Sequence, residues 1–196
     1  MSTRSTLLAL VLLCSATRVA AAQESAQEPP PDPRVGLFGG FGLHAGNMSC
    51  EGDNCPEFRK GGGFDGHVGW AFNRNVGLIG DVYFLGSTED RLTLTQTFAT
   101  IGVRYWVVPI IWVQGGVGNA HATYSYDAGV FGDIEGRTDD VLGITVAAGL
   151  ELLRSPRFSL DIEVRSAWGF YGDEDSDGSA DQTGRNTSVG VGFTWF

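Results

Sequence analysis

An acidic stretch near the carboxyl end of the chain has the spacing of a metal ligand set. Asp173, Asp175 and Asp177 alternate with other residues and precede Gly178, as in the first half of a calcium-binding loop. The twelfth position of such a loop needs a bidentate Glu, and here it is Gly184. The pattern therefore favours a solvated acidic loop. Weak Ca²⁺ or Mg²⁺ binding by the three aspartates is the alternative.

Two neighbouring cysteines predict a covalent link. Cys50 and Cys55 enclose a short polar stretch, and the third cysteine, Cys14, lies in an amino-terminal apolar run. A disulfide is the usual state of such a pair in an oxidising compartment. A metal site or two free thiols are the alternatives, but the chain has no second cysteine pair and the nearest histidine is His44.

The amino-terminal segment has the features of an export signal. A basic residue precedes an apolar run that is too short to span a bilayer as a permanent helix, and Ala20 and Ala22 follow as small residues. We predict a signal peptide over residues 1–22, cleaved after Ala22. A lipoprotein signal at Cys14 is a weaker alternative, because Leu13 occupies a position that requires a small residue.

The rest of the chain divides into a short leader and one domain. Residues 23–33 are rich in Pro, Glu and Gln, which cannot build a core, so we expect an extended leader. Residues 34–196 have a different composition and the length of one domain. The whole chain has 29 glycines and a formal net charge of −10. This acidity argues against nucleic acid as a partner, because binding it requires clustered Lys and Arg.

Large apolar residues alternate with small or polar residues in eight segments of the domain. Successive side chains of a strand point to opposite faces, so each segment predicts a strand with one apolar face. Segments of about nine to twelve residues are long enough to cross a bilayer as tilted strands. The predicted strands cover residues 35–43, 63–72, 76–84, 97–105, 110–118, 142–152, 158–170 and 189–196.

The connections between these strands distinguish a membrane barrel from a soluble one. The long polar connections, residues 44–60, 122–140 and 172–186, all fall on one side when the strand count is even. Short turns on one side and long loops on the other are typical of outer-membrane barrels. The predicted fold class is therefore all-β, an eight-stranded antiparallel up-and-down transmembrane β-barrel. A soluble barrel with its apolar face around a ligand is the alternative.

Aromatic residues gather toward both ends of the predicted strands. Two such groups are expected at the two lipid–water interfaces. The group at the short-turn end comprises Phe72, Tyr105, Trp106, Phe158, Trp195 and Phe196. The group at the long-loop end comprises Phe41, Phe64, Phe84, Trp168, Phe170 and Tyr171.

Three short motifs connect the domain with a known family. They are "GVRYW" at residues 102–106, "QGGVG" at residues 114–118 and the terminal Phe196. With them, residues 34–196 resemble the small eight-stranded outer-membrane barrels of the OmpA/OmpX type. The resemblance implies an outer-membrane location and assembly by the barrel assembly machinery.

The resemblance also implies that the last strand is an assembly signal, formed by Phe193, Trp195 and Phe196. Members of the family keep the final aromatic residue in phase with the outward residues. In this chain Trp195 is in phase and Phe196 is one residue out of phase. Either the register shifts at the rim or Trp195 carries the signal.

Five charged residues lie on the inward phase of the predicted strands. The interior of eight strands is just wide enough for side chains, which argues against an open pore. Isolated charges would be costly there, so we expect the charges to pair in a packed polar network. A gated proton or ion path through this network is the alternative. The five residues are Asp81, Arg104, Asp161, Glu163 and Arg165.

Some barrels of this architecture are enzymes, namely lipid A deacylases and palmitoyl transferases. The deacylases carry a His-x-Ser pair with a nearby acid, whereas this chain has His121 and Thr123, and Thr is a poor replacement for Ser. His44 borders a long loop and His67 lies mid-strand, and neither has a matched nucleophile in the sequence. We therefore predict that the protein is not an enzyme. An outer-membrane enzyme that modifies lipid A or phospholipid is the alternative.

Together these features predict an exported outer-membrane barrel with a structural or surface-interaction role. Envelope integrity, adhesion, or binding through the extracellular loops would all fit this class. We expect a monomer surrounded by outer-membrane lipid and lipopolysaccharide. We expect no cofactor, apart from weak Ca²⁺ at the last external loop as an alternative. The sequence does not identify a surface ligand.

Overall fold

Nine β-strands make up the regular structure of the described residues. The computed structural model describes residues 34–51, 59–89, 91–127, 133–171 and 182–196. In these ranges there is no helix long and apolar enough to cross a membrane. The strands are β1 (Gly36–Glu51), β2 (Arg59–Ala71), β3 (Val76–Glu89), β4 (Leu92–Val108), β5 (Ile111–Asp127), β6 (Asp133–Arg137), β7 (Val141–Arg154), β8 (Phe158–Tyr171) and β9 (Gln182–Trp195).

Eight of these strands close into a barrel. Strands β1 to β5 pair in order, β5 pairs with β7, and β7, β8 and β9 follow in order. The pairing of β9 with β1 completes the ring, and every pair is antiparallel. The short strand β6 pairs with β5 alone and stands outside the ring. The predicted eight-stranded antiparallel barrel is therefore confirmed, and β6 is a ninth strand that the periodicity does not predict.

The predicted alternation of faces is also present. In β8, Asp161, Glu163 and Arg165 are buried while Ile162 and Val164 are exposed. The outward apolar residues of the other barrel strands are likewise exposed or partly exposed. A continuous apolar outer surface of this kind suits a lipid environment, because in water it would drive association.

The strands are longer than predicted and extend into the long connections. The barrel strands have 13 to 17 residues. Strand β1 continues past His44, and its pairing with β2 reaches Met48 and Arg59. The prediction of a loop from His44 to Lys60 is therefore wrong at both ends. Backbone hydrogen bonds continue the hairpin although the side-chain pattern no longer alternates between apolar and small residues.

The aromatic residues predicted at the short-turn end divide into two groups. Phe72, Tyr105 and Trp195 are exposed on the outer face, as expected of residues at a lipid–water interface. Trp106 is 1% exposed inside the barrel, and Phe196 packs against the same interior cluster. The assignment of Trp106 and Phe196 to an outer aromatic group is therefore wrong, because both lie on the inward phase.

Candidate functional site

Apolar side chains fill both ends of the barrel interior. The cluster near the short turns consists of Phe38, Ala71, Ile79, Trp106, Trp112 and Ala147, with Phe196 packed against it. The cluster near the long loops consists of Met48, Tyr83, Leu85, Phe98, Ala120 and Ala167, with Leu94 and Val141 against it. Polar residues lie between the two clusters along the strands. On β3, for example, Asp81 is flanked on the inward face by Ile79 and Tyr83.

The polar layer contains eight ionisable side chains, which we call the interior polar cluster. Two further buried ionisable residues, Arg34 and Glu151, lie beside Trp106 at the short-turn end. All eight members of the cluster are at most 9% exposed. Five of them are the charged residues predicted for the interior, and the other three are His44, Asp65 and His67. The cluster comprises His44, Asp65, His67, Asp81, Arg104, Asp161, Glu163 and Arg165.

Arg165 is the main cation of the interior polar cluster. Its Nη1 donates a hydrogen bond to Asp81 Oδ2. Its Nη2 lies 3.5 Å from Glu163 Oε1 and 3.7 Å from Asp65 Oδ2. The guanidinium also lies over the Tyr83 ring, 4.9 Å from its centroid. One arginine is thus shared among three carboxylates from three different strands.

Arg104 has a different environment from Arg165. Its Nε and Nη2 donate to Gln114 Oε1 at 3.0 and 2.9 Å, and its guanidinium lies 4.1 Å from the Trp112 ring centroid. Among the described residues it makes no ion pair within 4.0 Å. Asp161 Oδ1 accepts no hydrogen bond from any described residue. The five predicted residues therefore share one interior, but not one continuous set of ion pairs.

His44 links the cluster to the hydroxyl groups around it. Its Nε2 is 2.7 Å from Asp65 Oδ1 and 3.0 Å from Glu163 Oε1, and its Nδ1 is 3.3 Å from Ser188 Oγ. Ser188 Oγ also accepts a hydrogen bond of 3.0 Å from the Tyr83 hydroxyl. His44 is not among the residues predicted from the sequence to lie in the interior. Its inward phase could have been found by extending the alternation of β1 from Gly40 and Gly42 by two more residues.

His67 continues the same chain of contacts toward the short-turn end. Its Nδ1 is 3.2 Å from Asp65 Oδ2, and its Nε2 is 3.2 Å from Thr194 Oγ1. Asp65 therefore connects the two histidines, with one carboxylate oxygen directed to each ring.

Glycines on the inner faces of β1 and β9 make room for these side chains. A Cβ atom at Gly42 would overlap Asp65 Oδ1 and lie 3.1 Å from His44 Nε2. A Cβ atom at Gly190 would lie 2.7 Å from His44 Cε1, closer than real Cβ contacts. The absent side chains let the histidine and the carboxylate lie against the barrel wall.

Ser188, His44 and Asp65 have the order of a nucleophile, base and acid. Catalysis by such a set needs a substrate carbonyl within reach of the serine oxygen. Ser188 is 2% exposed, its oxygen already contacts Tyr83, and apolar side chains fill both ends of the interior. The buried arrangement therefore supports a structural hydrogen-bond network among these residues.

His121 lies apart from the interior polar cluster. It is half-buried near the long-loop end, and its Nδ1 is 3.4 Å from Asp140 Oδ1. Asp140 also accepts a hydrogen bond of 2.7 Å from Arg137 Nη2. The histidine thus joins a surface ion-pair group.

The three residues of the predicted assembly signal lie in different surroundings. Strand β9 keeps its register up to Trp195, which pairs with Gly39 on one side and Phe158 on the other. Trp195 is exposed, whereas Phe196 lies 6.4 Å from the interior Phe38 ring, between centroids. Phe193 is partly exposed and its ring stacks on Phe158. The described register of β9 does not shift at the rim.

Several predicted sites fall outside the described residues. These are Cys55, the side chain of Cys50, the aspartates Asp173, Asp175 and Asp177, and the cleavage residues Ala20 and Ala22. The disulfide, the Ca²⁺ alternative and the signal cleavage therefore stay predictions.

At the long-loop end, β4, β5 and β6 form a three-stranded sheet beyond the last interior residues of β5. A recess of about 580 Å³ opens on this sheet. Five of its eight lining residues carry a hydroxyl group, and two others are charged, one acidic and one basic. The lining residues are Thr93, Thr95, Thr123, Tyr124, Ser125, Glu135, Gly136 and Arg137.

Charge is distributed unevenly between the two ends of the barrel. Residues 45–62, 86–97, 120–140 and 171–187, which form the long-loop end, contain fifteen acidic and five basic residues. The short-turn end contains four basic residues, Arg34, Arg74, Arg154 and Arg157, and the acidic Glu151. An acidic end of this kind attracts cations and repels polyanions.

Comparisons with known proteins agree with the geometry. A family model described as the outer membrane protein beta-barrel domain matches residues 6–195. A comparison with curated protein sequences finds no match. Among solved structures, Ail, the attachment invasion locus protein of Yersinia pestis, superposes with a TM-score of 0.57 at 14% identity, covering 82% of this chain and 99% of that chain.

Two further structures are similar. Neisserial surface protein A has a TM-score of 0.54 at 15% identity, covering 82% of this chain and 97% of its own. Ail in complex with the heparin analogue sucrose octasulfate has a TM-score of 0.53 at 16% identity, covering 82% of this chain and 99% of that chain. At such low identities the likeness concerns the fold.

Proposed function

Because the chain belongs to the outer membrane β-barrel domain family, we propose that it has a structural or surface-interaction role in the outer membrane. Its contact region is the long-loop end. The observation that carries this proposal is the filled interior combined with strands that extend at that end. A barrel closed by side chains does not transport through its centre, so its interactions are made by its outer surface and its external hairpins.

The charge of the long-loop end indicates the chemistry of its partners. Fifteen acidic residues against five basic ones favour a cationic partner, or an anionic partner bridged by divalent cations. The Ail structure with sucrose octasulfate contains a polyanion. For this chain we propose that a free polyanion is a poor ligand. Contact with lipopolysaccharide phosphates would then use bridging Ca²⁺ or Mg²⁺, for which Asp173, Asp175 and Asp177 are candidate ligands.

Three further features belong to the same proposal. The protein acts as a monomer, since the outer surface of its barrel is covered by lipid. The Cys50–Cys55 disulfide holds the first external loop, and the signal peptide is removed after Ala22.

A complementation experiment tests this role. A deletion strain is compared with strains that express either the full chain or a variant in which residues 124–136 are replaced by a two-residue turn. We expect the full chain to restore surface adhesion or detergent tolerance, and the shortened variant to restore less of it. A shift in electrophoretic migration on boiling is the control that both barrels fold.

Lipid analysis of the same strains distinguishes the structural role from the alternative of a lipid-modifying enzyme. Deletion should leave the acyl chains of lipid A and the phospholipid composition unchanged. A changed lipid A that the full chain reverses would overturn the structural role and assign an enzyme.

A further inference from the structure

We propose that the interior polar cluster holds a divalent transition-metal ion, with Zn²⁺ as the best fit, bound by His44, Asp65 and Glu163. This site is independent of the proposed surface role, because it lies between the two apolar layers of the barrel interior. One imidazole nitrogen and two carboxylate oxygens are a donor set that zinc uses.

The positions of the donor atoms are close to those of a metal site. His44 Nε2 lies 2.7 Å from Asp65 Oδ1 and 3.0 Å from Glu163 Oε1, and all three donors lie within 4.8 Å of one another. Tetrahedral zinc ligands lie about 3.3 Å apart, given metal–donor bonds of about 2.0–2.1 Å. Binding therefore requires His44 Nε2 to lie about 0.6 Å farther from Asp65 Oδ1 and about 0.3 Å farther from Glu163 Oε1.

One buried oxygen at this point lacks a hydrogen-bond donor. His44 Nε2 can carry a single hydrogen, and the shorter contact directs it to Asp65. Glu163 is 3% exposed, and its Oε1 accepts no hydrogen bond from any described residue. The nearest guanidinium nitrogen, Arg165 Nη2, lies 3.5 Å away and makes no hydrogen bond to this oxygen. A metal ion in place of the Nε2 hydrogen would satisfy both carboxylate oxygens at once.

The other ring nitrogen of His44 has the partner that a metal ligand requires. Histidines that bind metals usually donate the second N–H to a fixed acceptor, which orients the ring. His44 Nδ1 is 3.3 Å from Ser188 Oγ, and the Tyr83 hydroxyl donates to the same oxygen. Ser188 can accept both hydrogen bonds, because a hydroxyl oxygen has two lone pairs.

The charges of the interior polar cluster are compatible with a bound divalent cation. The cluster has four carboxylates and two arginines, so neutral histidines would leave two negative charges uncompensated in a buried space. Such an excess is unfavourable in an environment of low polarity. One divalent ion bound to neutral His44 brings the sum of these formal charges to zero.

The closed interior determines when the ion can bind. Trp106 and Trp112 lie at one end and Phe98 and Leu85 at the other, and each is at most 1% exposed. The ion should therefore be captured while the barrel folds and then exchange slowly.

Metal analysis of refolded protein tests the site. The unfolded chain is refolded into detergent micelles with Zn²⁺ or with EDTA, and both samples are then washed with EDTA to remove ions from the acidic surface. We expect about one zinc ion per barrel to survive the wash after folding with Zn²⁺, together with a higher unfolding midpoint than in the EDTA sample. Wild-type barrels that retain no zinc would overturn the proposal.

Two variants and a matched control locate the ion. Glu163→Gln and His44→Gln should each lower the retained zinc at least about tenfold. His121→Gln should retain it, because that histidine lies with Asp140 near the surface. Retention of zinc in both interior variants, or its loss in His121→Gln alone, would contradict the assignment. If one interior variant does not fold, the other and the wild-type measurement still decide the question.

Discussion

Arg165 is the residue on which the interior charge balance depends most. It reaches Asp81, Glu163 and Asp65, and its side chain is fully buried. Removing one partner of a buried ion pair is costly because the remaining charge has lost its compensation and cannot reach water. The role of Arg165 is therefore expected to be larger than that of any arginine at the surface.

Replacing Arg165 should destabilise the folded barrel strongly. Arg165→Met keeps most of the side-chain volume, and we expect it to lower the free energy of unfolding by about 3–5 kcal/mol. Urea titration in lipid vesicles measures this change. Arg137→Met is the matched control, since Arg137 pairs with Asp140 at the surface and should cost about 1 kcal/mol or less. Equal losses in the two variants would show that Arg165 has no special role.

Strand β4 shows where the apolar outer surface of the barrel ends. Ile101 and Thr93 lie on the same face of this strand, eight positions apart. Ile101 is 66% exposed within the apolar surface, whereas Thr93 lines the hydroxyl-rich recess at the long-loop end. The same strand face therefore passes from a lipid-facing to a polar surface.

Introducing a charged side chain on this face should destabilise the folded barrel by an amount that depends on its position along β4. Ile101→Arg is expected to make folding into a bilayer less favourable by about 2–4 kcal/mol, and Thr93→Arg by about 0–1 kcal/mol. Equilibrium folding into vesicles gives both values. A comparable cost at the two positions would place the lipid boundary beyond Thr93 and contradict the assignment of the recess to the exterior.

At the carboxyl end of β9, two residues that were both predicted to form the assembly signal lie on opposite faces of the barrel wall. Trp195 faces outward and keeps the register of the strand, and Phe196 packs inward near Phe38. We propose that Trp195 carries the assembly signal, and that Phe196 helps to fill the short-turn end of the interior.

Two alanine variants distinguish these roles. Trp195→Ala should reduce the fraction of heat-modifiable barrel in the outer membrane of cells, with a small effect on refolding in detergent. Phe196→Ala should lower the free energy of unfolding by about 1–2 kcal/mol, because the partly buried ring loses its apolar contacts. The opposite pattern, with normal assembly of the Trp195 variant, would assign the signal to Phe196.

The barrel as a whole is closed, because its interior carries an apolar layer at each end and a polar layer between them. Eight strands leave an interior that side chains can fill, and here Trp106, Trp112 and Phe98 occupy it. A polar interior alone would also be compatible with an ion path. The two apolar layers make a permanent path unfavourable.

Planar bilayer recordings test the closed barrel. The folded protein should give no steady conductance, whereas water-filled porins do. The boiling-dependent electrophoretic shift serves as the control that the sample is folded. Reproducible conductance steps that Arg165→Met alters would instead indicate a gated path through the interior polar cluster.

Alternation of side chains is a local property, so the sequence was sufficient to predict much of the fold. Eight apolar faces and the inward positions of Asp81, Arg104, Asp161, Glu163 and Arg165 follow from a period of two residues. The uneven lengths of the connections also indicated which end of the barrel carries the long loops and which end carries the short turns. These predictions do not require the contacts between individual side-chain atoms to be known.

The positions of His44, Phe196 and β6 depended on contacts between strands. His44 directly follows the last residue of a predicted strand, where the apolar pattern ends, and it is interior because β2 and β9 continue to pair with β1. Its contacts with Asp65, Glu163 and Ser188 join four strands that are distant in the sequence. Backbone pairing and register decide such contacts, and the type of a single residue carries no information about either.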